Sequence, residues 1–527
     1  MPAAAALAAQ TVCSAPGLTH AARRVALPPS RYRLQWHQLN LLIALCSSVF
    51  LSGCLSASPC APCGVRAPPG CAGLTRSRAP RHPAVSVLAP VLPGRLDELS
   101  APGALRAAIF GAYPLTLANF SLVVPWLVDR FGRKPLLFIS LGAEGALVIL
   151  FGMVRVHRGR HKNLTELWLM LHIRMFTGVF EAIQNTVLLL YAVDEFDEQG
   201  SMGTVMGWEE SCAGLGIIFG PTLSLLVPYG YSVPFVVLGL LFLALLPLLP
   251  FALRHTKQTP RPARRAPRPP WRAYLRYDIV NAAVATFVMG ACFGVIMPTL
   301  SAHLQMRLGV SKHWVGLVYM IPALVYGISC PLAGIVADKY GYRRLTWLGF
   351  SLLSVAFFMM GPLPVLKPVL PQLWVPGHPA AWAWAIAAMV FFGVGGALGF
   401  VPTMPAMLRG AKPLGPEAVE VVTSAYWTVY YYGEGLGPAF GTFFVGTPSP
   451  DDPSVSVPAT AIGPGWGYGL VAFLVLMFVV ISRNYASVAP PEVMTDPPVD
   501  KESEGAPLIE MMSEADSEAD AGNARQD

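Results

Sequence analysis

The sequence Val-Asp-Arg-Phe-Gly-Arg-Lys at residues 128–134 recurs in altered form as Ala-Asp-Lys-Tyr-Gly-Tyr-Arg-Arg at residues 337–344. Each copy joins two long apolar segments. A Gly-Pro pair follows each copy at a similar offset, because Pro221 and Pro438 lie 92 and 100 residues after the aspartate of their respective copies. Two signatures that repeat together predict a duplicated helical bundle, which in an apolar chain is typical of a membrane transporter.

The composition indicates that most of the chain lies in lipid. Of the 527 residues, 54% are apolar and 13% are charged, whereas about 25% of the residues in a soluble protein are charged. Apolar runs of about twenty residues are long enough to cross about 30 Å of hydrocarbon. No phosphate-binding loop, nucleophile elbow or metal-ligand cluster occurs in the sequence. We therefore expect neither an enzyme nor a nucleotide-driven pump, with no metal and no cofactor beyond a proton gradient as driving force.

The apolar runs predict an all-α membrane protein of twelve transmembrane helices in two six-helix bundles. A cytoplasmic tail (1–37) precedes the N-terminal bundle (38–253), a basic linker (254–276) leads to the C-terminal bundle (277–482), and a disordered acidic tail (483–527) follows. The predicted spans are 38–57, 103–127, 135–154, 166–192, 204–228, 232–253, 277–303, 314–336, 345–366, 381–408, 421–446 and 466–482.

Basic residues decide the predicted orientation. The linker carries eight Arg and Lys residues and no acid, and such loops are usually cytoplasmic. The linker, both repeated loops and both termini are therefore predicted to be cytoplasmic. The loop between spans three and four is also basic, but its sequon at Asn163 must face the lumen. Because the net charge of +7 arises from such loops, we expect membrane lipid and no nucleic acid as a partner.

Residues 58–84 interrupt the N-terminal bundle with an irregular, Pro- and Arg-rich stretch. Connections in helix bundles usually run about 2–8 residues. Three interpretations stay open: a disordered lumenal insert, an intron retained in the gene model, or part of a targeting extension. We favour an insert or a gene-model artefact, because 41–55 and 86–93 together have the character of one divided span.

The repeated loops resemble the signature of the major facilitator superfamily, Gly-x-x-x-Asp-(Arg/Lys)-x-Gly-(Arg)-(Arg/Lys). The second copy is complete from Gly334, whereas the first has Pro125 in place of the leading glycine. We expect each aspartate to accept hydrogen bonds from a neighbouring helix N-terminus, and the basic residues to bind acidic partners. Asp194 and Glu195 are the predicted partners of Arg130. The predicted gate residues are Asp129, Arg130, Gly132, Arg133, Asp338, Gly341, Arg343 and Arg344.

A Gly-x-x-x-Gly-Pro sequence in spans five and eleven resembles a motif of the antiporter branch of that superfamily. Glycines four residues apart allow helices to approach closely, and the proline bends its helix. We expect tightly packed helices that pivot and seal against leaks. The motif residues are Gly216, Gly220 and Pro221, and then Gly433, Gly437 and Pro438.

A more specific similarity covers most of residues 100–480 and resembles the vesicular amine transporters, nearest to their polyamine branch. The stretches that carry it are 207–221, 294–301, 314–338 and 399–408. The resemblance implies a carrier that exchanges protons for a small organic amine in a vesicular or vacuolar membrane.

Ionised groups inside the membrane cost between about 2.5 and 17 kcal/mol, so they are candidate functional residues. Arg174 begins an Arg-x-x-x-Gly sequence resembling one in the superfamily, and Glu181 lies two helical turns further on the same face. We predict that this pair couples transport to protons, and that Glu210 and Glu434 contact protons or the amine. The complete set of intramembrane candidates is Glu144, Arg174, Glu181, Glu209, Glu210 and Glu434.

One departure from the family pattern leaves the cargo open. Relatives carry an amine-binding acid immediately before Pro-x-Leu in span seven, where this chain has Met297. Trp427 stands near the position of a second acid in the monoamine carriers, where it and the tyrosines at 430–432 supply cation–π surfaces. One alternative is therefore a carrier of a neutral or anionic solute, such as a sugar or drug, at the plasma membrane. Another is a non-transporting sensor or scaffold.

The acidic C-terminal tail contains a sorting motif. Glu504 precedes Leu508 and Ile509 with the spacing of an acidic-dileucine signal. A disordered tail presents such a segment in extended form, so that the two apolar side chains fill a pocket of a clathrin adaptor. The predicted partners are therefore the solute, protons, lipid and this adaptor.

Overall fold

The fold is a bundle of long helices. A computed structural model describes residues 46–48, 92, 95, 96, 98–155, 160–197, 200–253, 269–307, 315–361, 363–375, 377–445, 447, 448, 456, 457 and 464–488. The α-helices within these residues are α1 (Gly103–Ser121), α2 (Val124–Phe131), α3 (Arg133–Gly152), α4 (Arg160–Phe196), α5 (Met202–Leu223), α6 (Val233–Leu245), α7 (Leu249–Ala252), α8 (Tyr277–Arg307), α9 (Val315–Tyr340), α10 (Tyr342–Met360), α11 (Pro379–Phe400), α12 (Thr403–Ala411), α13 (Pro416–Phe440) and α14 (Pro464–Val488).

The predicted all-α membrane class is confirmed. Six described helices are long and apolar enough to cross a membrane, and the pair α1 and α2, bent by 59°, makes a seventh candidate. Large apolar side chains such as Ile139, Leu332 and Ile481 are more than half exposed on the outer surface, as contact with lipid requires. The only described strands are the two-residue β1 (Thr447–Pro448) and β2 (Ser456–Val457), which pair antiparallel between α13 and α14.

Each predicted span from the second to the twelfth coincides with a helix or a pair of consecutive helices. The boundaries differ by several residues at most helix ends, and two of the differences bear on the predicted loops. α4 already begins at Arg160 and includes the sequon residue Asn163, and α14 continues to Val488, beyond the predicted end of span twelve. The first span beyond 46–48, the irregular stretch 58–84, most of the linker and the sorting motif lie outside the described residues.

The duplication predicted from the repeated motifs recurs in the helix contacts. α1 packs against α4 in the first half, and α9 packs against α11 in the second. Between the halves, α5 packs against α9 and α13 packs against α1, so the interface consists of two equivalent seams. The two halves therefore meet mainly along the four helices of these seams, α1, α5, α9 and α13.

Glycines determine a close helix contact of the second half, between α8 and α13. Gly433 and Gly437 of α13 lie directly against the backbone of α8. A Cβ atom on Gly437 would stand 2.6 Å from the carbonyl oxygen of Ala291 and 2.6 Å from the Cα of Gly294. A Cβ atom on Gly294 would in turn meet Gly437 at 2.8 Å. The two helices approach so closely only because both carry glycine at the contact.

We expect Gly437→Ala to destabilise the folded protein relative to Gly435→Ala. Both substitutions improve helix propensity by roughly 1 kcal/mol, but only Gly437 faces α8, since no atom lies within 4 Å of a Cβ atom on Gly435. Overpacking of this kind costs about 1–3 kcal/mol. The measurement is the thermal unfolding midpoint of both purified variants in detergent. Equal midpoints would contradict the packing described for this seam.

Candidate functional site

In each repeated motif a single glycine separates two helices. Gly132 lies between α2 and α3, and Gly341 lies between α9 and α10. Their φ angles are +85° and +92°, a backbone region that glycine adopts without steric cost. The glycine of the motif is therefore required by the turn, which directs the following helix back across the membrane.

Asp338 of the second motif caps a helix of the opposite half. Its carboxylate accepts hydrogen bonds from the backbone N–H groups of Gly203 and Thr204, at 2.8 and 2.7 Å, and from the Thr204 hydroxyl at 2.7 Å. These residues form the first turn of α5, where the helix dipole favours a negative charge. Gly334 allows the close approach, because a Cβ atom there would meet the Thr204 Cα at 2.9 Å. The expected carboxylate-to-helix contact therefore joins the two halves.

Arg133 of the first motif also joins the halves. It forms an ion pair with Asp194 at the end of α4, and its Nη2 lies 3.3 Å from Glu420 Oε1 in α13. The predicted pairing of Asp194 with Arg130 is wrong. Arg130 lies on the exposed face of α2, whereas the turn at Gly132 places Arg133 at the start of α3, within reach of α4.

The remaining gate residues have more local surroundings. Arg343 pairs with Asp278 of the same half at 3.1 Å, and Arg344 is exposed. Asp129 is partly buried in α2, which packs against α13. A further link between the halves joins Lys412 to Asp197 at 2.9 Å. Together with the contacts of Asp338 and Arg133, this link closes the interface on the side that carries both motif turns.

A cavity of about 510 Å³ lies towards the opposite end of the interface. α1, α4 and α13 line it, with Leu115 and Met175 on one side and Tyr431 and Leu436 on the other. The lining is largely apolar. The cavity therefore lies away from the links that close the interface at the motif turns.

A buried polar cluster lies beside this cavity. Arg174 and Glu181 of α4 are only 2% and 1% exposed. The Arg174 guanidinium carbon lies 4.4 Å from the ring centroid of Tyr113 in α1. Glu181 interacts electrostatically with Arg174, Tyr113 and also Tyr431 of α13. Neither charged residue is among the residues that line the cavity, but their neighbour Tyr431 is.

The Arg-x-x-x-Gly sequence explains how the cluster forms. A Cβ atom on Gly178 would stand 2.6 Å from the Tyr113 carbonyl oxygen and 3.2 Å from the Leu117 nitrogen. α4 and α1 therefore touch backbone to backbone at this point. That contact brings Arg174, one turn away on the same face, over the ring of Tyr113.

A second polar contact lies in the α5–α9 seam. Glu210 is buried and accepts a 2.8 Å hydrogen bond from the hydroxyl of Tyr326 in α9. Glu209 is also buried, and it interacts electrostatically with Cys46 and Cys212 as well as with Glu210. Adjacent helical residues point about 100° apart, which explains why these two acids have different surroundings.

Aromatic rings of α13 lie between the acidic side chains. Tyr430 and Tyr431 interact electrostatically with both Glu210 and Glu434. The rings of Trp427 and Tyr431 have centroids 6.0 Å apart, and those of Tyr430 and Tyr431 5.1 Å apart. Among the described residues, none accepts a hydrogen bond from the buried Trp427 Nε1. This aromatic row, formed by Trp427, Tyr430 and Tyr431, therefore offers ring faces for a cation and one N–H donor, Trp427 Nε1, among several acids.

The two Gly-x-x-x-Gly-Pro segments end in the same way. α5 continues for two residues past Pro221 and is followed by a 3₁₀ turn, and α13 continues for two residues past Pro438 and is followed by a π-helical turn. Gly216 and Gly220 are buried in α5. Met297 lies within α8, which runs through the following proline without interruption.

Sequence reasoning missed several residues of these sites. Gly290 and Gly294 form a visible Gly-x-x-x-Gly pair in α8, and their spacing was the available signal. Tyr113, Tyr326 and Glu420 carry no comparable signal, because a single polar residue does not reveal which distant side chain it contacts. Within the described ranges, no three His, Cys, Asp or Glu side chains form a group that would hold a metal ion.

Comparison with known proteins supports the architecture. The model of the family described as "Major Facilitator Superfamily" matches residues 83–438. The "MFS-type transporter SLC18B1" of Mus musculus is 27% identical over 368 residues, covering 68% of this chain and 76% of the mouse protein. Its Homo sapiens counterpart is 28% identical over 370 residues, with the same two shares. A "Multi-drug resistance efflux pump PmrA homolog" of Lactococcus lactis is 26% identical over 162 residues, 30% of this chain and 35% of its own.

We expect Asp338→Ala to loosen the first turn of α5. The substitution removes the carboxylate that binds two amides and one hydroxyl, and charged hydrogen bonds contribute about 1.5–3 kcal/mol each. The measurement is hydrogen–deuterium exchange of the Gly203 and Thr204 amides, which should become faster. Lys339→Ala, at an exposed neighbouring position, is the control. Unchanged exchange in the Asp338 variant would refute the capping contact.

Proposed function

This chain belongs to the Major Facilitator Superfamily of secondary transporters, and we propose that it exchanges lumenal protons for a small organic amine. The exchange would proceed by alternating access across the membrane of an acidic vesicle or vacuole. The observation that carries the proposal is the burial of Glu181 and Arg174 at the place where α1, α4 and α13 meet.

Glu181 is suited to coupling because it belongs to one half and interacts with the other. Its neighbour Tyr431 lies on α13, across the α1–α13 seam. A change in the charge of Glu181 therefore changes the electrostatic surroundings of Tyr431 at the contact between the halves. Glu181 would hold either a proton or an ammonium group, but not both. The proton and the amine then compete for one site, and such competition is the basis of antiport.

The aromatic row and the neighbouring acids support a cationic cargo. Glu210 and Glu434 both interact with Tyr430 and Tyr431. Ring faces attract ammonium groups, and carboxylates bind them by charge-assisted hydrogen bonds. These acidic and aromatic groups would take the place of the amine-binding acid that relatives carry at the position of Met297. The relatives named "MFS-type transporter SLC18B1" fit a small solute as cargo.

Alternating access follows from the two ends of the interface. The links made by Asp338, Arg133 and Lys412 close the side with the motif turns, which positive-inside topology assigns to the cytoplasm. The cavity lies towards the opposite end of the interface. Release of these links would open the side with the motif turns, so that the site becomes accessible from the cytoplasm instead of the lumen. The sorting motif at Glu504, Leu508 and Ile509 would direct the carrier to its organelle through a clathrin adaptor.

A second candidate is a carrier of a neutral or anionic solute at the plasma membrane. Met297 favours it, because the amine-binding acid is replaced by an apolar residue. The apolar lining of the cavity and the resemblance to proteins named for multidrug resistance point the same way for a drug. A non-transporting scaffold has less support, since it has no use for costly buried charges.

We expect the purified protein in liposomes with an acidic interior to accumulate an amine, and Glu181→Gln to abolish that accumulation. Without the carboxylate, the site binds neither the proton nor the ammonium group. The measurement is uptake of polyamines, monoamines and sugars with and without a protonophore. Glu98→Gln, whose carboxylate is 60% exposed, is the matched control. Wild-type uptake that ignores the proton gradient would count against the proposal.

We expect Trp427→Leu to raise the KM for the amine about fivefold, which corresponds to roughly 1 kcal/mol of lost cation–π attraction. Trp126→Leu removes an exposed indole of α2 and should leave KM unchanged. The measurement is the concentration dependence of initial uptake rates. An equal KM in the wild type and the Trp427 variant would exclude Trp427 from the amine site.

A further inference from the structure

Glu144 is a buried acid that the proposed exchange has not yet used. It lies in α3, a helix that does not line the cavity, and its side chain is 0% exposed. No described residue donates a hydrogen bond to either of its carboxylate oxygens. An ionised carboxylate without a hydrogen-bond donor inside the membrane is costly, which indicates a functional role for Glu144.

The charged surroundings of Glu144 come from a single direction. From α4, Glu181 interacts with it electrostatically. α6, which packs against the other side of α3, carries no ionisable side chain. The charged residues of α2 and the start of α3, which are Asp129, Arg130, Arg133 and Lys134, lie ten or more positions away, or roughly 15 Å along the helix. Glu144 therefore faces one acid and apolar helix surfaces.

The charges of Arg174, Glu181 and Glu144 do not balance when all three residues are ionised. Arg174 contributes one positive charge, whereas Glu181 and Glu144 contribute two negative charges when both are ionised. One negative charge is then uncompensated inside the membrane, where it costs several kcal/mol. Binding of one proton, or of one monovalent ammonium group, brings the cluster to neutrality. The same three residues thus have two neutral states that differ only in which cation they hold.

We propose that Glu144 and Glu181 form a carboxyl pair that binds one exchangeable proton, with Glu144 as the inner proton site. This inference rests on the proposed amine–proton exchange. When the ammonium group binds Glu181, the proton leaves the Glu144 carboxyl group for water and Glu144 becomes a carboxylate. When the amine departs on the lumenal side, a proton from the lumen binds the pair and restores neutrality. No other bond is made or broken, and the exchange is one proton for one monovalent cation.

We expect Glu144→Gln to eliminate the exchangeable proton. In this variant Arg174 and Glu181 balance each other, so the cluster is neutral with no proton bound. The first measurement needs no solute: the infrared carbonyl band of protonated carboxyl groups in reconstituted wild-type protein, recorded across a pH titration. The difference spectrum between the wild type and Glu144→Gln should show the loss of one protonated carboxyl group, whereas the difference spectrum between the wild type and Glu98→Gln should show none, because the other buried acids, Glu209 and Glu210, are common to all three proteins and cancel. The second measurement is amine accumulation in liposomes with an acidic interior, which Glu144→Gln should reduce to the level of protein-free liposomes.

The two measurements separate this inference from the proposed function. Gradient-driven uptake in the wild type that is unchanged in Glu144→Gln, with the carbonyl band retained, would overturn the inference and leave the antiport intact. Absence of gradient-driven uptake in the wild type would refute the antiport, while the band still decides whether Glu144 holds a proton. Should Glu144→Gln not fold, the wild type itself is titrated with the amine, because binding of the ammonium group should release the proton and reduce the carbonyl band. A band that the amine leaves unchanged contradicts the shared proton.

Discussion

A charge inside hydrocarbon must be compensated, and this constraint accounts for the arrangement of the polar residues. Several buried ionic groups have their compensation in a different helix: Arg174 of α4 lies over the ring of Tyr113 in α1, and Glu210 of α5 accepts a hydrogen bond from Tyr326 in α9. At the gate, Asp338 is compensated by the N-terminus of α5. Since most of these contacts cross a helix seam, the polar groups that make transport chemistry possible also determine how the helices are held.

Close helix packing is the condition for such compensation. A carboxylate or guanidinium reaches across a seam only where the backbones approach, and glycine stands at each of these places. Gly178 brings α4 against α1 below Arg174, and Gly334 brings α9 against α5 beside Asp338. The glycines of α8 and α13 similarly bring the aromatic row and Glu434 next to the centre. The small residues therefore allow the close helix packing that the charged residues need in order to reach their partners.

The sequence was sufficient for the architecture because the determining signals are local or repeated. Apolar run length fixes the helices, and the two motif copies reveal the duplication before any contact is known. The partners were less accessible. The sequence identified Arg130 as the partner of Asp194. Arg130 and Arg133 lie three positions apart, and which of them reaches α4 depends on the φ angle of Gly132 between them. Likewise, Tyr113 and Tyr326 became visible only through packing, since nothing in an apolar helix marks the acid that a tyrosine will face.

The absence of an acid at Met297 has a consequence for coupling. In a carrier with one amine-binding acid in each half, the amine itself bridges the halves. Here the described acids near the centre are Glu144, Glu181, Glu210 and Glu434, and the bridging contacts are made by Tyr326 and Tyr431. A tyrosine hydroxyl donates a stronger hydrogen bond to a carboxylate than to the carbonyl oxygen of a protonated carboxyl group. Protonation of Glu210 would thus weaken the hydrogen bond from Tyr326 that joins the halves, so that proton binding itself changes the stability of the closed interface.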